Sequence, residues 1–288
     1  MPESAGASAG LAALSKRYDV LLSDVWGVVH NGLAAYPSAV EALVKFREQG
    51  GCVVLITNAP RPSAPIVDML NHLGVPHTAY DAIVSSGDAT RSLIAQYRGQ
   101  VIHHVGPPVI DDALYEGLGI IRGSADEAVA VVVTDLDTDD DTPDMYADRI
   151  AHWLKRGLPL ICANPDKVVE VGDQIVYCGG ALADIYAELG GEVRMAGKPF
   201  APIYDEALRL AEAAVGHKLD RRRIMAIGDS VRTDAIGAAD FGIDLLFITG
   251  SIHAGELDAF GAADPEAIRA LVAPSGAALA GFMPRLAW

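Results

Sequence analysis

Cysteine is scarce in this 288-residue chain, with Cys52, Cys162 and Cys178 only. They stand far apart and form no CxxC pair, so they read as reduced, mostly buried thiols in a cytoplasmic protein. Basic residues are also few. Twenty-two Lys and Arg face 38 Asp and Glu, for a net charge of -16 and a pI near 4.7. That balance excludes a nucleic-acid partner, because phosphate backbones recruit Lys and Arg clusters. It also repels anionic substrates unless a cation or local donors offset it. No stretch approaches the ~20 uninterrupted apolar residues of a membrane helix. The N-terminal "MPESAGASAGLAALSKRYD" has no basic region ahead of a long apolar run, so no signal peptide is expected. There is no period of 20 to 50 residues, which excludes a repeat protein.

What the chain does have is apolar strands alternating with helical patterns. "YDVLLSDV", "CVVLITNAP" and "DAIVSS" read as strands. "YPSAVEALVKFREQG" and "SAPIVDMLNHLGV" read as the helices between them, each closing on glycine. Continuous Val/Ile/Leu runs followed by helices predict a parallel sheet covered on both faces. A second α/β stretch runs from "VIHHVG" to "GALADIYAELG", and the first pattern returns at "RIMAIGDS" and "DLLFITG". The expected fold class is therefore α/β, with a Rossmannoid core of residues 1–92 and 191–288. An α/β cap of residues 93–190 is inserted into it. The apolar C-terminal "APSGAALAGFMPRLAW", broken by Pro and Gly, is expected to pack on the core, with a subunit contact as the alternative.

In such sheets ligands gather at the C-terminal ends of strands. Four stretches can converge there. Asp24 ends the first strand, and Thr57 and Asn58 end the second in "ITN". Lys198 lies in "GKP" ahead of a helix, and Asp229 and Asp234 lie in "IGDSVRTD". Each alone is weak, since a strand-terminal Asp is commonly a turn or cap residue. Together they make a device. Three carboxylates can bind Mg²⁺, a hard cation that takes oxygen ligands. A carboxylate beside that metal can attack phosphorus. Thr57 can donate a hydroxyl to a phosphoryl group. Lys198 can offset developing charge and relieve the repulsion among the acids.

On these residues the chain resembles the haloacid dehalogenase superfamily in its Mg²⁺-dependent phosphatase form. "LLSDVWGVV", "VLITNAPR", "AGKPFAPIY" and "IGDSVRTDAIGA" carry the likeness across most of the chain. "SSGDAT", "VVVTDLD", "ANPD" and "GGALADIYAELGG" resemble the class IIA form with its C2 cap. The resemblance implies that Asp24 is the nucleophile and a metal ligand, and that Asp229 and Asp234 ligate Mg²⁺. It implies that Thr57 and Lys198 hold the phosphoryl group, with Asn58 supporting that loop. Trp26 would lend its main-chain carbonyl to the metal. The implied substrate is a small phosphorylated metabolite, with a sugar or polyol phosphate among the candidates, and a homodimer is implied as well.

One position departs from that pattern. Phosphatases of this family usually place a second Asp two residues after the nucleophile, where it protonates the leaving alkoxide and later activates water. Here Trp26 stands there, and an indole N–H is neither acidic at neutral pH nor able to accept a proton. Such acid-base help is typically worth ~10²–10⁴ in rate. The chain is then a phosphatase with another proton source, a slow or leaving-group-limited one, or a phosphate-ligand-binding pseudoenzyme. His30 is the nearest titratable candidate for the proton. Dehalogenases also carry an aromatic residue there, but they lack the carboxylate pair of Asp229 and Asp234.

Asp135, Asp137 and Asp139 have calcium-loop spacing, but the sixth position is Asp140 rather than Gly and the twelfth Tyr146 rather than Glu. They read as a cap loop from which Asp135 or Asp137 could touch substrate. His103 and His104 adjoin on a strand, so they point to opposite faces and share no metal. Arg221 to Arg223 read as a solvated turn.

Overall fold

The computed structural model describes residues 10–107, 109–171, 174–257 and 264–288. Residues 1–9 of the N-terminal segment read for a signal peptide lie outside them. The strands, in chain order, are β1 Val20–Ser23, β2 Cys52–Thr57, β3 Ala82–Ser85, β4 Val101–Val105, β5 Ile121–Arg122, β6 Ala130–Val133 and β7 Leu160–Cys162. They continue with β8 Val168–Val171, β9 Gln174–Tyr177, β10 Val193–Met195, β11 Ile224–Gly228, β12 Asp244–Ile248 and β13 Ala278–Met283.

Six strands form one parallel sheet in the order β13-β12-β11-β1-β2-β3. Every residue of β1, β2 and β11 is buried, which is why these strands read as unbroken apolar runs. Alternate side chains serve opposite faces. Leu21, Val53 and Leu55 join the cluster under helices Pro37–Glu48 and Ser63–His72. Val20, Leu22, Val54 and Ile56 join the one under helices Ala201–Val215 and Ile236–Phe241. A second parallel sheet, β10-β7-β6-β4-β5, has its own two clusters, one around Trp153 and Tyr186 and one around Ile102 and Ile161. The antiparallel hairpin β8–β9 forms a separate two-stranded sheet. The fold is thus α/β, a parallel Rossmannoid core with an inserted parallel-sheet cap.

The C-terminal tail does pack on the core: β13 is the edge strand beside β12, and Leu286 is fully buried. His103 and His104 part as expected, His103 against Trp153 and His104 bonding to the Tyr115 hydroxyl. Arg221 to Arg223 form a short turn whose guanidinium groups bond to the Phe241 carbonyl, Asp220 and Asp19.

In the core sheet β1 has β2 and β3 on one side and β11 to β13 on the other. The strand order therefore reverses between β1 and β11, and the crevice beyond their C-terminal ends is where such a sheet binds ligands.

Candidate active site

Asp24 follows β1 directly, its N–H donating to the Ile227 carbonyl of β11 at 2.8 Å. Its Oδ1 accepts the Val25 N–H at 2.7 Å, which fixes the carboxyl as the chain turns. The turn needs Gly27. Its φ is +79°, and a Cβ there would lie 2.1 Å from Asp229 Oδ2. Asp229 follows β11, and Asp234 sits one turn further on. Ser230 shapes that turn, its backbone N–H donating to Asp234 Oδ2 at 3.1 Å and its hydroxyl accepting the Thr233 N–H at 3.3 Å. Gly228 leaves room for the return, since a Cβ there would meet Asp234 Cγ at 2.1 Å.

Lys198 reaches this group from a different part of the chain. Its Nζ lies 2.6 Å from Asp24 Oδ1 and 2.7 Å from Asp234 Oδ1. Asn58 ties the lysine loop to the end of β2. Its Oδ1 accepts the Lys198 N–H at 2.7 Å, and its amide donates to the Lys198 carbonyl at 3.2 Å. Thr57 precedes it, its Oγ1 accepting the Ala59 N–H at 3.2 Å. Asp24, Trp26, Thr57 and Asn58 line a cavity of about 270 Å³ shared with the cap.

The charges are buried and mutually dependent. Burial pushes the Asp24 carboxyl well above the usual carboxylate range; Asp234 adds to the shift and Lys198 opposes it. Burial likewise lifts Asp229 to about 7, with Asp234 adding. Burial pulls the Lys198 ammonium down, but Asp234, Asp24 and Asp166 outweigh it and raise it well above its ordinary value. Among the described residues Asp24, Asp229 and Asp234 are the single group placed to share a metal ion, with ligand oxygens within 4.8 Å of one another. The donor set fits a hard divalent cation: it is all oxygen, and buried carboxylates this close favour a positive charge between them.

Trp26 is placed differently from its neighbours. Its indole N–H donates to the Glu170 carbonyl of β8 at 2.6 Å, so the residue joins the Asp24 loop to the cap hairpin. His30 packs edge-on against that ring at 4.9 Å between centroids. It is fully buried, its Nδ1 accepts the Gly32 N–H at 2.9 Å, and burial pulls it down to about 4. It does not line the cavity. His30 is therefore a neutral packing residue, and the sequence expectation that it could deliver a proton is not met.

Three residues bring the cap to the site, each through a partner that the sequence did not name. Asp166, in "ANPD", accepts the Asn58 amide at 3.0 Å, and burial raises its carboxyl. Arg232, between Asp229 and Asp234 in the chain, pairs through both terminal nitrogens with Asp184 of cap helix Gly179–Glu188. Arg61 lies 3.6 Å from the fully buried Asp111. A cation lodged between two site acids was the one available signal, at Arg232. Of the acidic cap loop, Asp135 and Asp139 line the cavity, while Asp137 pairs with Arg149 at 2.6 Å. The Asp135 carboxyl accepts the Asn164 amide at 2.8 Å and is lifted by burial to about 7.

A haloacid dehalogenase-like hydrolase family model matches residues 21–120, and a second HAD-hydrolase-like model matches residues 195–273. A solved hydrolase of the haloacid dehalogenase-like family from Brucella suis 1330 is 42% identical, with a TM-score of 0.87 over 97% of this chain and 99% of its own. The chain belongs to the haloacid dehalogenase-like hydrolase family. The ribonucleotide monophosphatase NagD of Escherichia coli (strain K12) is 23% identical over 238 residues, covering 81% of this chain and 88% of NagD. The p-nitrophenyl phosphatase of Archaeoglobus fulgidus shares the fold at a TM-score of 0.67 and 20% identity, over 93% of this chain and 96% of its own. Both family-model matches leave out residues 121–194, the stretch that contributes Asp135, Asn164 and Asp166 to the haloacid dehalogenase-like site. No helix among the described residues is long and apolar enough to cross a membrane.

Proposed function

We propose that this chain is a Mg²⁺-dependent phosphomonoester hydrolase of the class IIA, C2-capped kind, acting through an aspartyl-phosphate on Asp24. The observation that carries this reading is the Lys198 ammonium lodged between Asp24 and Asp234, with Asp229 completing a buried carboxylate group at the sheet's switch point. The phosphatases among its relatives support it, NagD and the Archaeoglobus enzyme included.

Asp24, Asp229, Asp234 and the Trp26 main-chain carbonyl would hold Mg²⁺. When bound, the cation supplies positive charge to the transferring phosphoryl oxygens. Thr57 donates its hydroxyl to a phosphoryl oxygen. Lys198 holds Asp24 in line and balances charge as the group transfers. Asn58 keeps the lysine and the Thr57 loop in register. Asp24 attacks phosphorus, and water then cleaves the aspartyl-phosphate.

A mixture of p-nitrophenyl phosphate and Mg²⁺ tests this. Wild type should exceed Asp24→Asn by at least about 10³-fold, a loss typical of removing a nucleophile, and EDTA should abolish turnover. A second reading, a phosphate-binding protein without turnover, is favoured by the commitment of the Trp26 N–H to Glu170. Wild-type activity no greater than that of Asp24→Asn would select it.

A further inference from the structure

The side chain two residues beyond Asp24 has no proton to give a leaving group. The one indole N–H of Trp26 is donated to Glu170, and the ring nitrogen accepts nothing. His30 is sealed behind that ring. The carboxyls that remain belong to the cap. Asp166 accepts the Asn58 amide and Asp135 the Asn164 amide, so each cap carboxyl already has a fixed partner. Asp139 is exposed to solvent. Beyond Trp26, Pro60, Ile110, Leu136, Val169 and Val176 give the cavity an apolar side, while Arg61, Thr138 and Asn164 add polar groups to its lining. Val169 and Val176 are directly opposite in the hairpin, so they share one face.

We propose, resting on the phosphatase reading above, that the substrate is a phosphate monoester of an acidic hydroxyl on a flat apolar group, an aryl or enol phosphate, rather than a sugar or polyol phosphate. An Asp24 oxygen bonds to phosphorus as the ester P–O bond breaks. The electron pair leaves with the ester oxygen as aryloxide or enolate. That anion is stable enough to depart without a proton and takes one from water afterwards. Water then adds to phosphorus, the bond to Asp24 breaks, and inorganic phosphate and a proton are released. The ring of the leaving group lies along the Trp26 and valine wall, where an indole offers a face for stacking.

The experiment uses the full chain with Mg²⁺ and three probes of falling leaving-group acidity: p-nitrophenyl, phenyl and glycerol phosphate. kcat should fall at each step, by at least about 10² from first to last, the low end of what a general acid contributes. Reading kcat in single turnovers at saturating enzyme separates departure of the leaving group from its binding on the apolar side and from the later hydrolysis of the aspartyl-phosphate, which all three probes share. Trp26→Asp should narrow the gap by about tenfold or more. The wild-type series decides the matter even if that variant fails to fold. Glycerol phosphate turned over within about threefold of p-nitrophenyl phosphate would show a general acid at work and overturn the inference alone. In that event loss of glycerol phosphate turnover in Asp166→Asn or Asp135→Asn would say which cap carboxyl supplies the proton. No probe hydrolysed faster than by Asp24→Asn would instead sink the phosphatase reading, and this inference with it.

Discussion

On the core side of the cavity Asp24, Lys198, Asp229 and Asp234 are at most 6% exposed, and each charge is held by another. On the cap side Val169, Val171 and Val176 are half-buried, Tyr177 is exposed, and the wall is mainly apolar. The core strands that present the charges are buried throughout, whereas no residue of β8 or β9 is. The two surfaces therefore suit different tasks. Buried charges with fixed partners need no reorganisation during a reaction, which suits phosphoryl transfer. A partly exposed apolar face adapts to the remainder of a substrate, which suits selection.

The sharpest way to break that contrast is to remove the cation from the core side. Lys198→Met should destabilise the fold by about 3–5 kcal/mol, the cost of leaving buried charge unpaired. Saturating Mg²⁺ should restore part of that loss, as urea denaturation with and without the metal would show, because a ligand bound only to the folded state stabilises it. No substitution on the β8–β9 face should cost as much.

Each half carries one buried histidine whose contribution acid should remove. His30 in the core and His104 in the cap are each pulled down to about 4, in both cases chiefly by burial. The unfolded chain binds their protons near the ordinary value of 6.5, so their contribution is intact above that pH. It is lost progressively as pH falls towards 4. For His30 this amounts to roughly 3 kcal/mol. Asp24, Asp229 and Asp135, whose carboxyls burial raises, gain stability over the same range, so the test is a difference: from pH 7 to pH 4.5 the urea midpoint of the wild type should drop relative to that of His30→Gln.

The smallest effect is expected where the two halves clasp. Arg232 and Asp184 pair across the junction but remain partly exposed, at 40% and 22% for their side chains. Solvent screens such pairs, so a double-mutant cycle of Arg232→Ala and Asp184→Ala should return no more than about 1 kcal/mol of coupling.

The core half of the site was legible in the chain because its information is local. A strand-terminal Asp, a Thr-Asn pair at the next strand end and two acids five residues apart each follow from one βα unit. The parallel sheet that gathers them follows from the apolar runs. His30 stands out in the sequence because it lies only six residues from Asp24, whereas its burial depends on the Trp26 ring packing over it. The partner of Asp166 was not legible, because a carboxylate in a short cap loop carries no mark of what it will face.

By itself the sequence determined the α/β class, the order of the site loops and the kinds of donor they carry, since these depend on residue type and short spacing. Tertiary structure alone decided what Trp26 does. Its partner is a backbone carbonyl 144 residues away, and a main-chain oxygen has no side-chain identity by which a sequence could announce it. The same holds for Lys198, whose charge acquires its meaning from two carboxylates that separate loops bring within 2.7 Å.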